Sequence, residues 1–448
     1  MIYKTLAFFK IYPGEGFRLA VIAALLFLLL AANNLIKILR DSIFLGHHSV
    51  SELPYLYILV ALFASVTIAT YTRYTAHLSL VRLILATNAI VVLTIAGFGL
   101  LLTYVDPGWS HYAFYIWSAM VTVIAVAQLW TLANQIFNPD QGKRLFGLLA
   151  AGGTIGGVAA AFCAKWTIHL SVESNHLLWV VGGLYVTASA LLGLSRRRLT
   201  GALSGKEFAT AETAEMEIGD NIFAQLAGSR YLKTIAAVIL VSVVVSTLID
   251  FELKTAAKEI YPSTSALAGL FSSYYGWLSV ATLFSQVILT GKTLTKLGLG
   301  TSLYLTPVAL LTGAWAIMIW PGLIVAALTR IADATLRNSI HRSSMEIIYM
   351  ALPAGVLRSI KTFLDVVVER VGDAGAGFII LFFSLSSAAS YKRYLHVICL
   401  GLIVVWMVLI KFLRTGYIDA MDKGLPPGEV PLDIELVATN RVKRTLSE

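Results

Sequence analysis

The feature that most constrains this chain is a repetition. Apolar runs of roughly twenty residues recur between residues 17 and 413, each long enough to cross about 30 Å of hydrocarbon at about 1.5 Å per residue in a helix. There are about twelve such runs, and the ten-residue alternating segments of a membrane barrel are absent, so the spans are helices. Composition agrees, with 58% of the 448 residues hydrophobic and 13% charged, against roughly a quarter charged in a soluble domain. The fold class expected is an all-α integral membrane protein.

The formal net charge of +9 is explained by basic loops on the cytoplasmic face, so no nucleic-acid partner is expected. Cys163 and Cys399 lie far apart in apolar runs and give neither a disulfide framework nor a metal spacing. Lys4, Lys10 and Arg18 precede the first apolar run as in a secretory signal, but the run continues past Ala32 into a charged stretch. It reads as an uncleaved first span, 17–40. The leader is short and holds Glu15, unlike a transit peptide, which points to a bacterial inner membrane.

One break interrupts the series. "SRRRLTG" opens a polar stretch from Arg196 to Gln225 that holds Lys206, Glu207, Glu212, Glu215, Glu217 and Asp220. The expected organisation is an N-terminal six-helix half (1–195), a cytoplasmic linker (196–225), a C-terminal six-helix half (226–414) whose first span is 230–253, and a cytoplasmic tail (415–448). Basic residues occupy alternate connections, at Arg73 and Arg82, Lys143 and Arg144, and Lys292 and Lys296, whereas "YVDPGW" and "SVESNH" carry none. Both termini are therefore expected in the cytoplasm. The halves echo each other: "LIKILRD" at 35–41 overlies "LIDFELK" at 248–254, setting Lys37 opposite Asp250, and Asn134 overlies Glu346. Parallel six-helix halves mark the major facilitator architecture, with a solute site near the midplane between them.

The first span begins "LLFLLLAANN" and then places Lys37, Arg40 and Asp41 where hydrocarbon is expected. Each such charge costs about 2.5–3.5 kcal/mol at a helix centre, so it should face a partner or a watery cavity. Helical spacing gathers these charges into stripes: Asn33, Lys37, Arg40 and Asp41; Asp250, Lys254 and Lys258; Arg330, Asp333 and Arg337; and Arg358, Lys361, Asp365 and Glu369. Internal salt bridges and snorkelling ends are the plainer explanation, favoured for Lys258, Arg358, Glu369 and Arg370. For Lys37, Asp250 and Lys361 a cavity holding both signs of charge is favoured, with Lys37 and Asp250 as an ion pair across the halves. The candidate solute-binding residues are Lys37, Arg40, Asp41, Asn134, Asp250, Arg330, Arg337, Glu346, Lys361 and Asp365.

Other motifs carry no chemistry. "LTGKTLTK" lacks the first glycine of a P-loop and reads as a cytoplasmic turn. His47 and His48 are adjacent, which does not place two metal ligands on one helix face, and a loop role is expected. Gly152 with Gly156, and Gly153 with Gly157, let membrane helices approach closely. No catalytic residue, metal or cofactor is expected.

Several motifs together resemble the ATP/ADP translocase family, the nucleotide transporters of plastids and obligate intracellular bacteria. They are "ILRD" in the first span, "LWTLANQIFNPDQGKRLFGLLAAGG" at 129–153, "LIDFELKTAAKEIYPS", "MEIIYMALP" and "KTFLDVVVERVGDAGAGF". The resemblance implies the major facilitator fold and a secondary transporter, not an enzyme, moving a nucleotide or related phosphorylated anion by alternating access. It implies that Arg40, Arg337 and Lys361 attract the phosphates, while Asp41, Asp250 and Asp365 hold those bases when the site is empty. The sequence departs from the family at Ile43, where a lysine is expected, and at Ser118, where a glutamate is expected. Two other readings stand beside this one: a proton-coupled transporter of another polar metabolite, with Asp250 or Glu346 carrying the proton, and a membrane sensor or scaffold without flux. A monomer in a lipid bilayer is expected.

Overall fold

The computed structural model describes residues 12, 15–75, 79–170, 174–200, 226–352, 360–361, 363–385 and 391–424. Residues 201–225 of the expected linker, Arg358, and the tail beyond 424 lie outside the described residues.

The apolar runs form α1 (Gly16–His47), α2 (Leu53–Thr75), α3 (Leu80–Leu100), α4 (Gly108–Ile136), α5 (Pro139–His169) and α6 (Leu177–Thr200). After the linker come α7 (Arg230–Ile260), α8 (Thr264–Phe284) and α9 (Thr290–Ile319). The next helix, α10, begins as Leu323–Leu336 and continues through a π turn at Arg337–His341 into Arg342–Tyr349. A π segment at Phe363–Val368 opens α11, which continues as Glu369–Leu385, and α12 is Tyr391–Gly424. Among the described residues nine helical stretches are long and apolar enough to cross a membrane, one of them running through α8 and α9. Local signals set the starts. Asn138 and Gln141 form a capping box ahead of Pro139 at the head of α5, and Ser263 accepts from the Ala266 N–H at the head of α8.

Several boundaries differ from the sequence reading, among them the ends of α6 and α12, which run to Thr200 and Gly424, inside the expected linker and tail. The first and seventh spans, expected to end at 40 and 253, run on to His47 and Ile260. The charges that seemed to end them, Asp41 and Lys254, are buried against each other, so the helices continue through them. "LTGKTLTK" is helical rather than a turn; the chain breaks helix at Gly298, whose φ of +71° is open to glycine at little steric cost.

The helices group into two compact units, residues 1–215 with 251–287, and residues 216–250 with 288–448. In the first, α1 is packed by α4, α5, α6 and α8. Glycines allow the α1–α5 approach: a Cβ on Gly156 would lie 2.2 Å from the Phe27 carbonyl oxygen, and one on Gly153 would lie 3.2 Å from Leu30. The Asn34 amide donates to the Gly157 carbonyl (2.9 Å) and the Ser279 hydroxyl (3.0 Å), tying α1 to α5 and α8. At the head of α1, buried Glu15 accepts from the Tyr12 N–H, Gln141 and Arg144. Burial pushes this carboxyl up, but those donors outweigh it and hold it below the usual carboxylate range.

In the second unit α9 lies against α10 and α12. There α7 meets α11 where Thr247 donates to Asp373 (2.9 Å) and where Gly372 leaves room for Val243.

Candidate functional site

In the first unit the charges of α1 form a buried cluster. Asp41, 1% exposed, accepts both Nε (2.9 Å) and Nη2 (3.2 Å) of Arg40 in a fork, and it also accepts from the Tyr275 hydroxyl at 2.7 Å. Lys254 Nζ, itself 2% exposed, lies 3.4 Å from Asp41 and donates to the Tyr115 hydroxyl at 3.1 Å. Arg40 stands over the Tyr115 ring, and Lys254 over the rings of Tyr57 and Tyr115. Two bases share one carboxylate here, beside the faces of Tyr57 and Tyr115. Lys37 is half-buried one turn earlier on α1, and Asn134 is exposed on α4.

In the second unit the stripe on α10 is laced by one acid. Asp333, fully buried, accepts from Arg330, from Arg337 Nη2 (3.2 Å) and from the Ser246 hydroxyl (2.5 Å). Arg330 Nε also donates to Asp250 at 3.1 Å. Two arginines and two aspartates thus balance within the unit. Asp250 belongs to this unit and Lys37 to the other, and within its own unit Asp250 is held by Arg330.

Beside this network opens a cavity of about 340 Å³, lined among others by Ser242, Arg337, Arg342, Glu346, Tyr349, Asp365 and Glu369. Two π segments frame it. A π segment widens the helix and turns its side chains, and such bulges cluster at functional sites; here one brings Arg337, Asn338 and His341 to the cavity and the other brings Asp365. Lys361 Nζ donates to Glu346 at 2.5 Å and lies over the Tyr349 ring, whose hydroxyl donates to Asp365 at 2.8 Å. Arg337 gives its Nη2 to the Ser242 carbonyl oxygen at 2.7 Å, while its Nε and His341 Nδ1 are buried without a hydrogen-bond partner among the described residues.

Of the ten candidates from sequence, Arg40 and Asp41 meet in the first unit. Asp250 and Arg330 meet in the second, and Arg337, Glu346, Lys361 and Asp365 gather at or beside its cavity. Arg337 hydrogen-bonds Asp333 and Lys361 hydrogen-bonds Glu346, while Asp41, Asp250 and Asp365, the acids named from sequence for the three bases, accept from Arg40, Arg330 and Tyr349. The candidate set left out Arg342 and Tyr349, and also Lys254 and Asp333, which the sequence placed in the charged stripes without a site role. For Lys254 a signal existed: the overlay that sets Lys37 opposite Asp250 also sets Asp41 opposite Lys254. Tyr115 and Tyr275 sit within apolar runs and carried no signal.

The helical order defines a polytopic membrane protein of the major facilitator fold. The structure is similar to the crystal structure of nucleoside transporter NupG, with a TM-score of 0.62 at 12% identity over 90% of this chain and 99% of that one. Residues 55–320 and 309–417 match the family described as TLC ATP/ADP transporter, and the chain belongs to that family. Among its relatives, "ADP,ATP carrier protein 2" of Chlamydia pneumoniae is 24% identical over 364 residues, which is 69% of this chain and 66% of the relative. The chloroplastic "ADP,ATP carrier protein 2" of Arabidopsis thaliana is 24% identical over 353 residues, 70% of this chain and 56% of the relative. The match thus spans two thirds or less of the length of these curated relatives.

Proposed function

We propose that the chain is a secondary transporter of nucleotides, or of a closely related phosphorylated anion, working by alternating access in a bacterial inner membrane with both termini in the cytoplasm. The observation that carries this reading is the second-unit cavity. Arg337 and Arg342 line it and Lys361 stands at its edge, while Arg337 Nε is buried without a hydrogen-bond partner among the described residues. Planar guanidinium groups and an ammonium are the donors that phosphate oxygens recognise most strongly.

The carboxylates explain how such a site tolerates being empty. Glu346 neutralises Lys361 and Asp333 neutralises Arg337, so a phosphate entering the cavity replaces Glu346 as the counter-ion of Lys361. Glu346 and Lys361 are partly exposed, so their separation costs about 1 kcal/mol or less. Relatives named ADP,ATP carriers support the choice of nucleotide. In the first unit Arg40 and Lys254, beside the rings of Tyr57 and Tyr115, offer a second place for an anionic solute.

The test is uptake into proteoliposomes of a panel of radiolabelled ATP, ADP, other nucleotides, phosphorylated metabolites and unphosphorylated polar metabolites, with and without unlabelled solute inside and with and without a pH gradient. Nucleotide accumulation that depends on nucleotide inside supports the reading. Accumulation of an unphosphorylated solute that follows the pH gradient replaces it with the proton-coupled reading, and no flux of any solute replaces it with a sensor or scaffold.

A further inference from the structure

The end of α1 and the start of α4 hold a cluster that the solute site does not use. His47 closes α1, Asp106 stands between α3 and α4, and His111 lies in the first turn of α4. The rings of His47 and His111 stack at 4.2 Å, and both Nε2 atoms face one carboxylate: His111 Nε2 lies 2.8 Å from Asp106 Oδ1, and His47 Nε2 lies 3.6 Å from Oδ2.

Hydrogen-bond partners assign the protons. His47 Nδ1 lies 2.9 Å from the Ile43 carbonyl oxygen, which can only accept, so Nδ1 carries the hydrogen and Nε2 a lone pair. Tyr112 gives its hydrogen to Glu52, so its oxygen accepts from His48 Nδ1–H at 3.2 Å, and the same carboxylate lies 3.2 Å from that nitrogen. His48 Nε2 is then an acceptor for His111 Nδ1–H at 3.0 Å, which leaves His111 Nε2 with its lone pair as well. With the three imidazoles neutral, two nitrogen lone pairs and a carboxylate converge with no hydrogen among them. A cation, either a proton or a metal ion, relieves that arrangement.

We propose that His47 Nε2, the Asp106 carboxylate and His111 Nε2 form a binding site for a divalent transition-metal cation of the zinc type. One ligand atom from each residue lies within 4.8 Å of the other two. Zinc bonds of about 2.0–2.2 Å in a tetrahedron place ligand atoms about 3.4 Å apart, so small side-chain shifts close the site. Each imidazole already donates its other N–H, to a backbone carbonyl and to the His48–Glu52 relay, the outer-shell pattern that fixes the tautomer of metal-bound histidine. Asp106 has φ +45°, the only positive φ among the described non-glycine residues, and that backbone aims its carboxylate between the rings. His47 and Asp106 are exposed, leaving a route in and a fourth position for water. Sequence spacing dismissed His47 and His48 as a ligand pair; the ligands come instead from three separate segments.

The experiment is titration of untagged full-length protein in detergent with cobalt(II), read by its visible absorption, followed by displacement with zinc. One equivalent should give a d–d band of a low-coordinate nitrogen and oxygen site, which zinc removes. His47→Gln and Asp106→Asn should each weaken cobalt binding by at least the about 10–100-fold that losing an outer-shell partner costs, while exposed His176→Ala leaves it unchanged. Each variant is checked for a native elution volume. Wild-type protein that gives no band at stoichiometric cobalt would overturn the proposal, because the gap then holds only a proton. A band that survives in both ligand variants would overturn it too.

Discussion

Two buried aspartates organise the charges of this chain. Asp41 takes Arg40, Lys254 and Tyr275 in the first unit, and Asp333 takes Arg330, Arg337 and Ser246 in the second. Removing such an acid leaves bases buried without a counter-charge, which costs about 3–5 kcal/mol. Asp41→Ala should therefore lower the thermal unfolding midpoint in detergent steeply. Lys254→Met should lower it less, because Asp41 keeps its forked bond to Arg40; equal losses would contradict the assigned geometry. That Asp41 needs a base was legible from insertion cost alone. Which base was not, because a stripe on one helix shows that charges share a face and says nothing of the neighbouring helix. The stripe on α10 was the exception, since Arg330, Asp333 and Arg337 bond along their own helix at steps of three and four.

At the scale of elements, apolar run length made nearly every span legible, because about twenty residues in lipid have few options besides a helix. The ends were less legible, since charge was taken to mark the water boundary, whereas at Asp41 and Lys254 it marks a buried pair. The two π segments around the cavity had no sequence signal either, as they follow from tertiary contacts. Three glycines give sharp tests. Gly156→Ala should destabilise by about 1–3 kcal/mol through overpacking against Phe27. Gly147→Ala, with nothing within 4 Å of its Cβ, should be close to neutral in the same thermal melt. Gly298→Ala should cost about 1–3 kcal/mol, because φ +71° with ψ 167° is a region that essentially only glycine visits. A melt unchanged by Gly156→Ala would show that α1 and α5 do not approach as described.

For the whole molecule, the topology we propose has the termini and the 196–225 linker on the cytoplasmic face, on the argument of the alternating basic loops. A cysteine at Ser204 should escape an impermeant thiol reagent in intact cells while one at Ser174 reacts, and the reverse pattern would invert the topology. The central claim, that the cavity charges move a phosphorylated solute, is tested most directly at Lys361. Its ion pair with Glu346 is partly exposed, so Lys361→Gln should change stability by about 1 kcal/mol or less and yet abolish exchange. The measurement is counter-exchange of external radiolabelled ADP against internal ATP in proteoliposomes, wild type beside Lys361→Gln. The account predicts rapid exchange for the wild type and none above the protein-free background for the variant. Wild-type exchange rates in the folded variant, or no exchange in the wild type itself, would contradict it.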